Sequence, residues 1–118
     1  MKPPSIRTLR REYNDINHMA FGGRLPRVVF APYEKMQKGT KFEKDGLGLY
    51  AFDREAKTKK IFIAINWRMH CCRRQWMLTL IHEMCHYPVD TKKSPHCNTI
   101  KFQERVYRAL SKTENILL

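Results

Sequence analysis

Apolar residues recur along this chain in two periods, one helical and one strand-like. From Ile6 onward, Leu9, Tyr13, Ile16 and Ala20 follow at steps of three and four, with charged residues between them. That spacing predicts an amphipathic helix with Ser5 as its N-cap. Gly22-Gly23 ends it, and Pro26 prevents it from resuming. The stretch from Phe21 to Pro26 then turns the chain into a short strand, Val28-Val29-Phe30. Residues Tyr33 to Gly46 are polar and lysine-rich and read as a loop or irregular hairpin. Leu47 to Phe52 reads as a second strand, and Asp53 to Lys60 as a charged turn. Ile61 to Asn66 is the clearest strand, apolar and β-branched, and is expected to be central or at least well packed.

From Arg74 to Tyr87 the period returns to that of a helix, on Trp76, Met77, Leu80, Ile81 and Met84, with Pro88 as its stop. Thr91 to Pro95 is a turn-rich loop. Asn98 is the expected N-cap of a last helix carrying Phe102, Val106, Ala109 and Leu110, and Ser111 to Leu118 is expected to fray. The order is helix, three strands, helix, loop, helix. It predicts an α+β domain with helices packed on a small three-stranded sheet.

At 118 residues and 42% hydrophobic content, the chain is expected to fold as one domain over 1–118. No apolar run reaches the length of a bilayer span, and Met1 to Ser5 lacks the apolar segment of a signal peptide. A cytoplasmic site of action is therefore expected. Cys71 and Cys72 are adjacent, a poor geometry for a disulfide, so reduced thiols are the expectation. Cys71, Cys72 and Cys85 read as small helix or core residues. Cys97 is a minor candidate as a metal ligand.

The net charge of +12 and the pI near 9.9 imply an anionic partner, of which nucleic acid is the commonest. Arg73, Arg74, Lys92 and Lys93 are candidate phosphate contacts. The plainer reading is a solvated surface. Trp67 and Trp76 are candidates for stacking on bases, although Trp76 shares the apolar helix face and reads better as core.

The chemistry concentrates in His82-Glu83-Met84-Cys85-His86. Positions four apart on a helix share a face, so two imidazoles there can take two corners of a zinc tetrahedron. Glu83 can reach a water in the open position without being a ligand, which is the HExxH arrangement of zinc proteases. The bland alternative is a buried helix with two histidines on its polar edge. His96, Glu104, Asp90 and Cys97 each fit zinc's preferences for a third ligand.

Four stretches together resemble the SprT-like metalloprotease family, shared by bacterial SprT and the eukaryotic Spartan proteases. They are Tyr13-Asn14 through Phe21-Gly22-Gly23-Arg24-Leu25-Pro26, the strand Ile61 to Asn66, the run Thr79-Leu80-Ile81-His82-Glu83-Met84-Cys85-His86, and Pro95-His96 followed by Phe102. The resemblance implies a minimal zincin-like metalloprotease domain. It also implies His82, His86 and His96 as zinc ligands, and Glu83 as general base. The implied activity is peptide-bond hydrolysis, in some members on proteins trapped on DNA. The chain departs from the family in a short segment between His86 and His96, in Cys97 where glycine is usual, and in lacking the zinc ribbon that follows many catalytic domains. The competing expectation is a non-proteolytic module, stabilised by zinc, that binds nucleic acid or protein. A metal-dependent nuclease is a weaker third, because such sites are usually rich in carboxylates.

Overall fold

A computed structural model describes residues 2–36, 46–52, 59–87 and 99–117. The first helix, α1, spans Ile6–Phe21; the Ser5 side chain accepts from the Thr8 N–H and Gly22 closes the helix at φ 62°. That left-handed backbone is one that glycine adopts without strain. Tyr13 and Asn17 of α1 tie the turn beyond it back through their side chains. The Tyr13 hydroxyl donates to the Pro26 carbonyl at 2.6 Å, and the Asn17 amide exchanges two 3.1 Å bonds with Leu25. The chain therefore enters the sheet at a fixed angle.

Strands β1 (Val28–Phe30), β2 (Gly48–Phe52) and β3 (Ile61–Ile65) form a mixed sheet of order β1-β3-β2. β3 lies in the middle, parallel to β1 with Val28 opposite Ile61, and antiparallel to β2 with Gly48 opposite Ile65. The most apolar segment of the chain thus takes the one position that, among the described residues, is paired on both sides. Ile61, Ile63, Ala64 and Ile65 are all buried.

After a 3₁₀ turn at Trp67–Met69, the helix α3 runs over Arg73–Met84 and lies against β2 and β3. Trp76, Met77, Leu80, Ile81 and Met84 are all buried, as their spacing predicts. Helix α4 (Ile100–Lys112) closes over α1 and α3 with Phe102 and Ala109 inward. The domain is α+β, with helices on a three-stranded sheet. Among the described residues, no helix is long and apolar enough to cross a membrane.

The structure differs from the sequence expectations in several places. Tyr33–Met36 is a short helix, α2, where a loop or hairpin was expected; Tyr33 is buried and anchors it. The helix carrying His82 and Glu83 ends at Met84 rather than running to Tyr87. Thr99 caps α4, its side chain accepting from the Phe102 N–H at 3.2 Å, where Asn98 was expected. The tail does not fray through its described part. Thr113 is fully buried, its hydroxyl donates to the Ala109 carbonyl at 2.8 Å, and a further short helix, α5, spans Glu114–Leu117. Cys71 and Cys72 are exposed, so of the three thiols read as helix or core residues only Cys85 is interior. Pro88, Asp90, Thr91–Pro95, His96, Cys97 and Asn98 lie outside the described residues, as does most of the turn expected over Asp53 to Lys60.

Candidate functional site

Helix α3 carries the site because it is apolar on nearly every side and is therefore driven into the core. His82 and Glu83 lie in its last turn. His86 follows in a tightened turn, where the His86 N–H bonds the Glu83 carbonyl at 3.1 Å and the Tyr87 N–H bonds the Met84 carbonyl at 3.1 Å. The two imidazoles remain neighbours, with ring centroids 5.4 Å apart. Helix ends leave carbonyls without intrahelical partners. Here Arg105 of α4 satisfies two of them, its Nη1 donating at 3.0 Å to both the Cys85 and the Tyr87 carbonyl. Those carbonyls flank His86, so the turn bearing it is clamped from α4.

Phe102 is fully buried and lies against both imidazoles, at 5.0 Å from His82 and 4.6 Å from His86. Tyr50 of β2 stacks on His86 at 5.6 Å. Rings on two elements thus restrict the histidine rotamers. Burial lowers the His82 pKa, which favours the neutral imidazole that a metal requires.

Glu83 is buried, with Oε1 3.8 Å from His86 Nε2. Its Oε2 is buried with no hydrogen-bond partner among the described residues. Desolvation raises its carboxyl from the ordinary 4.5 to about 8. His82, Glu83 and His86 each offer a donor atom, and these atoms all lie within 4.8 Å of one another. Two imidazoles and a carboxylate at that separation suit zinc.

The site opens into a cleft of about 550 Å³. Gly46, Leu47 and Gly48 form one wall, Leu78, Thr79, His82 and Glu83 the floor, and Val106 and Leu110 of α4 the other wall. Gly48 is a close-approach glycine. A Cβ there would lie 2.9 Å from Thr79 Cγ2, 3.1 Å from the Ala64 carbonyl oxygen and 3.2 Å from Glu83 Cγ. Only the missing side chain lets the edge strand lie this near to Glu83.

A second polar group on α3 lies one turn before Glu83. The Thr79 hydroxyl is 2.7 Å from His70 Nε2, and His70 Nδ1 is 2.7 Å from the Asn66 carbonyl oxygen. A carbonyl can only accept, so Nδ1 carries the proton and, in the neutral ring, Thr79 donates to Nε2. Asn66 extends the chain of bonds to the edge strand. Its side chain donates to the Gly46 carbonyl at 2.8 Å and its N–H to the Leu47 carbonyl at 2.9 Å. The start of the cleft wall is thereby tied to the floor.

Of the candidate residues from sequence, the structure brings His82, Glu83 and His86 together. His96, Cys97 and Asp90 lie outside the described residues, as do Lys92 and Lys93. Glu104 is exposed on α4 and is not part of the donor group found among the described residues. Arg73 is engaged within the fold, with Nη2 3.1 Å from buried Glu12 and Nη1 donating to the Ile116 carbonyl at 2.6 Å. Arg74 is exposed. Trp76 is core, and Trp67 packs on it edge to face at 6.0 Å. The sequence reading did not single out Gly48, Tyr50, His70 or Arg105. Among these only Gly48 carries a local signal, a glycine inside an apolar strand.

Comparison with protein-family models, with curated proteins and with solved structures finds no match to this chain.

Proposed function

We infer that the chain is a zinc-dependent endopeptidase of the SprT-like kind, acting in the cytoplasm on proteins associated with nucleic acid. One observation carries this reading: a buried carboxyl, one oxygen of which has no partner among the described residues, lies beside two imidazoles at the floor of a cleft. A purely structural zinc site needs no such group beside it. Buried polar atoms without partners are uncommon in folded proteins and concentrate where chemistry is done.

His82 and His86 would hold the ion, and the family resemblance supplies His96 as the third ligand. When bound, zinc acidifies water and polarises a carbonyl. Glu83 would take the proton from the attacking water and pass it to the leaving amine. A base works best with a pKa near the working pH, and burial moves this carboxyl in that direction. β2 lies at one edge of the described sheet, and Gly46, Leu47 and Gly48 at its start line the cleft. An extended peptide would align along it by backbone pairing. The excess of lysine and arginine supports a substrate held on nucleic acid.

The test is a cleavage assay. Zinc-loaded protein and its Glu83→Gln variant are incubated with a basic DNA-binding protein, with and without single-stranded DNA. The expected result is fragments from the wild type alone, and more of them with DNA. Cleavage that ignores DNA would leave the protease and remove the nucleic-acid part. No cleavage by zinc-loaded protein would favour a binding module.

A further inference from the structure

Away from the cleft, a second concavity of about 230 Å³ lies between the end of α1 and the face of α4. Four cations line it: Arg24, Arg105, Arg108 and Lys112. Its floor includes Ala20 and buried Ala109, small side chains around which the four longer ones are arranged. Among the described residues no carboxylate lines it and none of the four cations forms an ion pair.

Helix geometry makes this clustering costly. Arg105, Arg108 and Lys112 recur at steps of three and four, so they share a face, and like charges so spaced work against the helix. The negative end of a helix accounts for Lys112 in the last turn of α4 and for Arg24 just beyond α1. It does not account for Arg105 and Arg108, which precede that last turn, where the field of the helix end has fallen off.

Two of the cations are already oriented. Arg24 Nε donates to the Phe21 carbonyl at 3.0 Å, and Arg105 Nη1 holds the Cys85 and Tyr87 carbonyls. A guanidinium anchored through one edge loses less freedom when another edge takes a ligand. Phosphate oxygens suit such a cradle, since they accept from several N–H donors and carry charge that offsets the crowding.

We propose that this hollow binds a phosphate group, either one of a nucleic-acid backbone or a free phosphate. The proposal deepens the nucleic-acid part of the reading above and does not depend on its proteolytic part. It replaces Arg73, which is committed to Glu12 and Ile116, with a set of cations that share one cavity. Arg105 joins the hollow to the carbonyls flanking His86, so a bound strand would lie behind the metal-bearing turn and leave the cleft to the peptide.

The test uses full-length, zinc-loaded protein. Binding of a short fluorescein-labelled single-stranded DNA is followed by anisotropy at several salt concentrations. Binding of inorganic phosphate is followed by amide chemical shifts. The variant is Arg108→Glu/Lys112→Glu, both exposed, with Arg108→Gln/Lys112→Gln as a milder pair. The control is Lys2→Glu/Arg7→Glu, an equal change of charge at exposed positions at the other end of α1. The hollow pair should weaken DNA binding by at least about tenfold more than the control. It should also flatten the salt dependence by about 0.7 in log–log slope per lost phosphate contact. Saturable phosphate shifts across residues 105–112 that the variant abolishes, with DNA binding unchanged, would assign the hollow to free phosphate. Equal losses of DNA binding in the hollow pair and the control, with no saturable phosphate shift, would overturn the proposal. So would no effect on either ligand. Glu83→Gln should bind DNA as the wild type does, so failure of the protease reading and failure of this one are read separately.

Discussion

Helix α3 carries two buried polar side chains one turn apart, and they are finished in opposite ways. Thr79 is tied through His70 to Asn66 and from there to Gly46 and Leu47, with 2.7 Å bonds at both ring nitrogens of His70. Glu83 keeps an oxygen without a partner among the described residues. A satisfied buried network rigidifies its surroundings, whereas an unsatisfied group costs stability. The same helix therefore holds a braced hydroxyl and an unsatisfied carboxyl, and the brace fixes the wall that the carboxyl faces.

The largest effect expected from breaking this contrast is on rate. Glu83→Gln should lower peptide cleavage by about 10²–10⁴-fold, the usual worth of a general base, with zinc content unchanged by elemental analysis. Next comes pH. In the metal-free folded protein Glu83 holds its proton up to about 8, while the unfolded chain releases it near 4.5. The unfolded state then binds fewer protons between those values, so this group's contribution to stability falls as pH rises through that window. Urea midpoints of metal-free protein at about pH 5 and about pH 8 should show the fall, and Glu83→Gln should flatten it.

His70→Leu tests the other half. It removes the ring bonds to the Thr79 hydroxyl and to the Asn66 carbonyl, which keeps its bond from the Met69 N–H, and should cost about 2–3 kcal/mol in urea unfolding. Glu83→Gln, in contrast, should not destabilise the metal-free protein at neutral pH. A His70→Leu variant as stable as the wild type would remove the distinction between the braced hydroxyl and the unsatisfied carboxyl. The smallest effect expected is that of Gly48→Ala, which places a methyl against Thr79, Ala64 and Glu83 together. Overpacking of this kind costs about 1–3 kcal/mol, and substrate KM should rise as the edge strand is pushed from the floor.

Much of the frame was legible because it is local. The three-four spacing and caps of α1, the β-branched run of β3 and the apolar spacing of α3 each lie within one segment. The same holds for His82, Glu83 and His86, whose proximity follows from the helix and the tight turn that ends it. What escaped is non-local. α2 is too short to show a period, and the last turns at the C-terminus are held by the buried hydroxyl of Thr113. The role of His70 depends on partners four and nine positions away whose approach the fold creates. The atoms crowding Gly48 come from β3 and α3. Arg105 reads as an ordinary helix cation until the turn it clamps is in place.

The central place of β3 has a consequence for the order of assembly. Among the described residues β1 and β2 do not pair with each other, and each pairs only with β3, which follows both in the chain. A nascent chain that has emerged only as far as Phe52 holds two of the three strands and no sheet. The parallel pairing of Val28 with Ile61 must also close a long loop, an entropic cost that contacts between distant residues repay late. Synthesis therefore delivers the sheet's organiser last among the described strands, with the helix carrying His82 and Glu83 directly behind it. Ile61 opens the platform and His86 follows 25 positions later, so the platform and the residues that depend on it emerge in close succession.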